Sequence, residues 1–272
     1  MTARALERIS AQLRYDTVRM IHEAGDGHPA PALSCADLIC ALYFSAMRAD
    51  PARPNAPDRD RLVLSKGHAC PVLYAALARR GYFPVAELSR LRELGSMLQG
   101  HPDMVKTPGV DMTAGSLGHG ISTGLGLAMA SKYTGLGFRV YVITGDGEME
   151  EGLIWEAAMT AARHGAGNLT VMCDCNNEQS GGKVADISRV HPLCPKFDQF
   201  GWHTQEIDGH DMPAILNALR AAQTEEGQPS FIACSTVKGK GVPFMEGDNS
   251  WHKRVPTAEQ LEQARIALGV EA

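Results

Sequence analysis

The sequence predicts an α/β fold, a mostly parallel sheet sandwiched between helices, and three observations support it. Residues 139–144 (RVYVIT) and 169–174 (LTVMCD) are β-branched runs of strand length, and 155–164 between them reads as a helix. A strand, helix and strand in that order close as a right-handed crossover, so the two strands run parallel and their exit loops point the same way. Glycine-rich turns, several carrying histidine, recur where predicted elements end, and in open parallel sheets ligands bind beyond the carboxyl ends of the strands. With 272 residues and 44% hydrophobic content, the chain suits one large domain over 1–272 with a sizeable core.

In chain order, residues 5–24 form an amphipathic helix, with Leu6, Ile9, Leu13, Val18 and Ile21 near helical spacing, which stops at the turn Gly25-Asp26-Gly27-His28-Pro29. A second helix is expected over about 34–48. A Pro-, Asp- and Arg-rich loop then leads to a strand at 61–65 that ends in Lys66-Gly67-His68, and a helix follows at 72–80. The segment 113–120 (TAGSLGHG) opens a helix to about residue 133, ahead of the central strand-helix-strand unit. A last helix begins at Thr257, where Thr257 and Gln260 have capping-box spacing; the ending therefore reads as a structured terminus.

The formal charge of −5 and the absence of an aromatic-interleaved basic stripe argue against nucleic acid as a partner. No apolar run of about 18 residues appears, and the N-terminus has charges of both signs with no apolar leader, so a cytoplasmic protein without membrane attachment is expected. Seven cysteines without a paired CxxC spacing read as reduced core thiols. Cys173, Cys175, His191 and Cys194 do not match the spacing of a structural zinc module.

The chemistry concentrates at Gly145-Asp146-Gly147-Glu148 and Asn176-Asn177, which follow the two parallel strands and can converge. An aspartate and an asparagine offer hard oxygens that suit Mg²⁺, an ion that fills its remaining positions with phosphate oxygens and water. Glycines beside Asp146 let a diphosphate approach the backbone, and a helix N-terminus just beyond favours its charge. Gly-Asp-Gly by itself is also an ordinary tight turn. His28, His68, His101, His119 and His210 each follow a glycine, which places a ring on a turn and argues for a shared cleft.

GDG followed at this distance by NN resembles the diphosphate-magnesium motif of thiamine diphosphate enzymes. The ordered set GHP at 27–29, SKGHA at 65–69, LQGHPD at 98–103, TAGSLGHG at 113–120, TVKGKGV at 236–242 and Trp251-His252 resembles transketolases across nearly the whole chain. The resemblance implies the thiamine diphosphate-binding (PP-type) fold. It also implies the N-terminal subunit of a split transketolase, whose pyrimidine-binding and C-terminal domains come on a separate partner chain, in a two-plus-two heterotetramer. The implied activity is transfer of a two-carbon ketol unit from a ketose to an aldose, sugar phosphates or related sugars, only when the partner is present. By the same resemblance, Asp146 and Asn176 ligate Mg²⁺ through side chains and Glu178 through its carbonyl. Gly145, Gly147, Glu148 and His68 serve the diphosphate; Gly115, Ser116 and Leu117 lie against the aminopyrimidine; Glu151 is a carboxylate near the subunit interface. His28, His101 and His252 surround the ketose hydroxyls, with His252 also beside the cofactor and the expected proton handler, a role suited to imidazole.

The pattern departs from that family at Ala30-Pro31, where a small Gly-Gly pair is usual, at Ser116 and His119, and after Asn177, where Glu-Gln-Ser-Gly-Gly replaces the frequent Asp-Gly. These changes bear on the sugar. The alternatives are an alpha-type subunit of a 2-oxo acid dehydrogenase, a deoxyxylulose phosphate synthase-like enzyme, or a non-catalytic regulatory subunit. A dinucleotide oxidoreductase is disfavoured, because the glycines from Gly118 to Gly126 depart from GxGxxG and no strand precedes them.

Overall fold

Helix α1 (Ala3–Ala24) opens the chain in the computed structural model, which describes residues 1–271. Thr2 caps it by accepting from the Ala5 N–H, and Gly25 ends it in the left-handed region at φ 67°. Next come α2 (Pro29–Ser34), which was not expected, and α3 (Ala36–Ala41), which with the π-type turn after it covers most of the helix expected over about 34–48. The prolines explain the difference: Pro29 and Pro31 occupy the first turn of α2, where missing N–H groups cost no helical bond. The chain bends at Cys35, and α3 runs into a wide π-type turn over Leu42–Ala46.

The chain continues through β1 (Arg61–Leu64), the consecutive helices α4 (Cys70–Arg80) and α5 (His119–Thr134), β2 (Val140–Gly145), α6 (Gly152–Arg163) and β3 (Leu169–Cys175). A small antiparallel hairpin, β4 (Glu178–Gln179) with β5 (Gly182–Lys183), precedes α7 (Val184–Ile187) and α8 (Cys194–Gln199). Then follow β6 (His203–Asp208), α9 (Met212–Thr224), β7 (Ser230–Ser235) and α10 (Ala258–Ala267). The capping box expected at Thr257 and Gln260 is present.

The main sheet has the order β1-β2-β3-β7-β6 and every pairing in it is parallel. Its central strands are buried on both faces, as a sheet covered on two sides requires. Along β2, Tyr141 and Ile143 point into one core with α1, α3, α4 and α9, while Val140 and Val142 point into the other with α5, α6 and α8. A one-residue slip would exchange the two sets. Helix α5 lies close to the sheet because Gly120 and Gly124 lack side chains: an added Cβ would stand 2.3 Å from the Ser65 Cβ and 2.5 Å from a Val142 methyl. The strands are thereby stacked so that the loops leaving β1, β2 and β3 share one end of the sheet. No helix among the described residues is long and apolar enough to cross a membrane.

Candidate active site

At that end lies a cavity of about 300 Å³, walled by α2, by the exits of β1, β2 and β3, by Gly115 and Leu117, and by His252. Asp146, the first residue after β2, is 1% exposed. Its Oδ1 accepts from the Gly147 N–H at 2.9 Å and its Oδ2 from the Asn177 N–H at 2.7 Å. Asn177 reaches that donor position from a left-handed conformation, φ 61°, which asparagine tolerates better than most residues. Asn176 Oδ1 accepts from the Glu178 N–H at 3.0 Å. Among the described residues no three His, Cys, Asp or Glu side chains come close enough to hold a metal. A cation at this end would therefore rest on one carboxylate, one amide oxygen and main-chain oxygen, a donor set that suits a hard ion keeping several non-protein ligands.

The floor carries charge. Lys66 is 3% exposed and forms a buried ion pair with Asp174. Asp174 also accepts from Ser34 Oγ at 2.5 Å, from Thr236 Oγ1 and from Asn176 Nδ2 at 3.4 Å. Burial alone would lower the lysine pKa, but the carboxylate beside it raises it above the ordinary value, so Lys66 stays cationic. Lys238, 2% exposed, donates to Asn249 Oδ1 at 2.5 Å and stands 3.9 Å from Glu178 Oε2. Burial brings its pKa down to about 8, against the raising effect of Glu178.

Glu148 sits behind the glycine turn and is 3% exposed. Its carboxylate accepts from the Gly118 N–H at 2.7 Å, the Gly145 N–H at 3.1 Å and the Ser65 hydroxyl, bracing three loops. Burial pushes its pKa up, and these hydrogen bonds oppose that shift. Gly147 matters for its lack of a side chain, since an added Cβ would be 2.9 Å from the Gln179 Cβ.

The opposite end is a triangle of imidazoles. His28, His68 and His252 have ring centroids 5.4 to 5.6 Å apart. His28 is held at the N-cap of α2 ahead of Pro29, His68 follows β1 on a short 3₁₀ turn, and His252 rides on the turn Asn249–Lys253 beside buried Trp251. Burial lowers the pKa of His28 and of His252 to about 4, with nearby cations adding to it, and pushes His68 well below its usual value. All three are neutral at pH 7. His28 Nδ1 and His252 Nδ1 are buried without a hydrogen-bond partner, a costly state that a hydroxylated ligand would relieve.

His101 is exposed against Gly115, with its pKa lowered by partial burial and by Arg92. Ser116 is exposed between the two cavity-lining residues Gly115 and Leu117. Glu151 lies outside, exposed at the N-cap of α6. Of the five glycine-preceded histidines, His28 and His68 line the cavity, His101 stands beside it at Gly115, and two lie elsewhere. His119 is exposed on α5, and His210 is bound between Asp37 and the Val237 N–H. The seven cysteines are all free and buried.

A parallel sheet with this cavity at its carboxyl end defines a cofactor-dependent enzyme domain of the α/β class. The chain belongs to the transketolase family: the model described as "Transketolase, thiamine diphosphate binding domain" matches residues 6–272. The "6-deoxy-6-sulfo-D-fructose transketolase subunit SqwG" of Clostridium sp. (strain MSTE9) is 45% identical over 95% of this chain and 94% of that protein. A short apulose-4-phosphate transketolase subunit from Phocaeicola vulgatus is 38% identical over 97% of this chain and 94% of its own length. The crystal structure of a transketolase variant from Pichia stipitis superposes with a TM-score of 0.93 at 30% identity, over 100% of this chain but 41% of that one. The chain thus spans about two-fifths of a long transketolase and nearly all of the short subunits.

Four residues of the site escaped the sequence reading: Lys66, Asp174, Lys238 and Asn249. A lysine at the end of a buried parallel strand (SKGH) or between strand and glycine (TVKG) points at the ligand crevice, and that position was the available signal.

Proposed function

We propose that this chain is the cofactor-holding N-terminal subunit of a two-subunit transketolase, active with a C-terminal partner in a two-plus-two assembly in the cytoplasm. One observation carries the reading: a single cavity joins a hard-oxygen end, built from Asp146, Asn176 and Glu178, to a neutral end of His28, His68 and His252. The residues fit thiamine diphosphate with Mg²⁺. Asp146, Asn176 and the Glu178 carbonyl would hold the metal, the open backbone at Gly145 and Gly147 leaves room for the diphosphate, and Lys66 offsets its charge. Bound there, thiamine diphosphate supplies the electron sink for breaking and making the bond next to a ketose carbonyl.

The protein's own part is geometry and protons. Neutral His28 and His252 offer lone pairs and N–H groups to sugar hydroxyls at pH 7, and His101 stands nearby at Gly115. His252 takes and returns a hydroxyl proton, while His28 and His101 orient the sugar. Gly115, Ser116 and Leu117 support the flat ring of the cofactor, and Glu151 communicates between paired sites. The names of the two short relatives specify a sulfonated and a phosphorylated sugar, which favours a ketose with an anionic group as donor.

The test is to recover the chain from its own cells with thiamine diphosphate and Mg²⁺ present, and to measure partner mass, stoichiometry and bound cofactor. A second polypeptide in equal amount, with ketol transfer only when both are combined, is the expected result. Turnover by the rigorously purified chain alone, or recovery without partner or cofactor, would overturn it.

A further inference from the structure

Two walls of the cavity, the hairpin after β3 and the turn that carries His252, and the loop after β7 behind them come from distant parts of the sequence. They meet at one amide. Asn249 Oδ1 accepts from Lys238 Nζ at 2.5 Å, and Asn249 Nδ2 donates to the Ser180 carbonyl at 3.3 Å. The orientation of this amide is fixed, because turning it over would set an NH₂ group against an ammonium. Asn249 opens the same short turn in which His252 lies three residues later, and Asp248 caps that turn by accepting from the Ser250 N–H at 2.9 Å. The Lys238 side chain is itself anchored, 1% exposed and 3.9 Å from Glu178 Oε2. Its carbonyl accepts from the Gly247 N–H at 3.0 Å, which closes the loop that leads to Asn249.

We propose that Asn249 is a positioning residue, one that sets the spacing between the Glu178–Ser180 arm of the cavity and its own His252 turn by holding the Ser180 carbonyl and the Lys238 ammonium at once. The proposal rests on the cofactor reading for its functional consequence but not for its structural one. Without the clasp the hairpin keeps its attachments to Asn176, through the Glu178 N–H, and to Glu150, through the Gln179 side chain, and the approach of Glu178 to Lys238, while losing its direct hydrogen bond to the histidine turn. The hairpin then opens more often, and the two ends of the cavity lose their common register.

Amide hydrogen exchange on the full chain without cofactor tests the clasp directly. Asn249→Ala and Asn249→Asp both remove the donor to Ser180, while the aspartate keeps an acceptor for Lys238. Exchange in the segment 177–183 is expected to quicken about fivefold in both variants, the loss of one net hydrogen bond, with β1, β2 and β3 unchanged. Thermal stability should fall in the alanine variant and be retained in the aspartate variant. Unchanged exchange in 177–183, or faster exchange spread evenly over the sheet, overturns the clasp. With the partner present, thiamine diphosphate should bind about fivefold more weakly to both variants than to the unaltered chain. Equal affinity in all three overturns the positioning role, whereas an unaltered chain that binds no cofactor refutes the cofactor reading and leaves the exchange result to decide the clasp.

Discussion

Replacing Asp174 by asparagine would keep the shape of the cavity floor and remove its charge. Four groups converge on this carboxylate: Ser34, Lys66, Asn176 and Thr236. Lys66 has no solvent to turn to, at 3% exposure, so the variant leaves a buried ammonium without a counter-charge. Breaking such a pair from one side costs about 3–5 kcal/mol, because the remaining ion stays desolvated. With a urea dependence of about 3 kcal/mol per molar for a chain of this size, a loss of about 4 kcal/mol moves the unfolding midpoint down by roughly 1.3 M. The double variant Lys66→Met with Asp174→Asn removes the orphaned charge as well and should recover at least half of that shift. Urea titrations followed by circular dichroism, run on all three proteins at pH 7.5, measure both numbers. A single variant that loses less than about 1 kcal/mol, or a double variant no more stable than the single one, would refute the claim that the pair is isolated from water.

Other outcomes follow from the same geometry. The depressed pKa values of His28 and His252, about 4 in the folded chain against 6.5, mean that the unfolded chain binds more protons between those pH values. The stability they contribute is complete above pH 6.5 and declines as pH falls toward 4, by roughly 1 kcal/mol each once solvent screening is allowed for. The double variant His28→Gln with His252→Gln should flatten the fall of melting temperature over that range; an unchanged slope refutes the assignment. Gly120→Ala puts a methyl 2.3 Å from the Ser65 Cβ and should cost about 2–3 kcal/mol in denaturant titrations, since backbone on both sides must shift; a neutral result would mean that α5 is free to move. His210 accepts the Val237 N–H at its Nε2, 2.9 Å, and so must donate from Nδ1 to Asp37 at 2.8 Å. Glutamine is long enough to accept from Val237 and asparagine is not, so His210→Gln should protect the Val237 amide from hydrogen exchange and His210→Asn should not. Equal protection in the two variants counts against the tether.

The central unit was legible because its strands are buried on both faces, which writes nearly continuous apolar runs, and because glycine marks the exits. The extra helix α2 was not, since Pro29 and Pro31 read as breakers in sequence but sit in a first turn where a helix has no bond to lose. The sequence reading placed no elements at β6, α9 and β7. β6 is a half-exposed edge strand with polar His203, Thr204, Gln205 and Glu206, too weakly patterned to stand out. His28 and His68 were found through their glycines, and His252 only through the family resemblance; the glycine signal also collected His119 and His210, which do not line the cavity. Lys66, Asp174, Lys238 and Asn249 were missed for a different reason: a buried charge is defined by its partner, and Lys66 and Asp174 are brought together across more than a hundred residues of sequence.

Glu148 draws a further consequence from its place behind the glycine turn. Because one carboxylate holds Gly118, Gly145 and Ser65 together, the three loops behave as a single part. A change at any one of them alters the fit of the other two, so a designer cannot borrow the Gly145–Glu148 turn for another scaffold without also carrying the Ser65 strand end and the Gly118 helix start. The smallest transferable module of this site is three segments wide, although the motif that advertises it is four residues long.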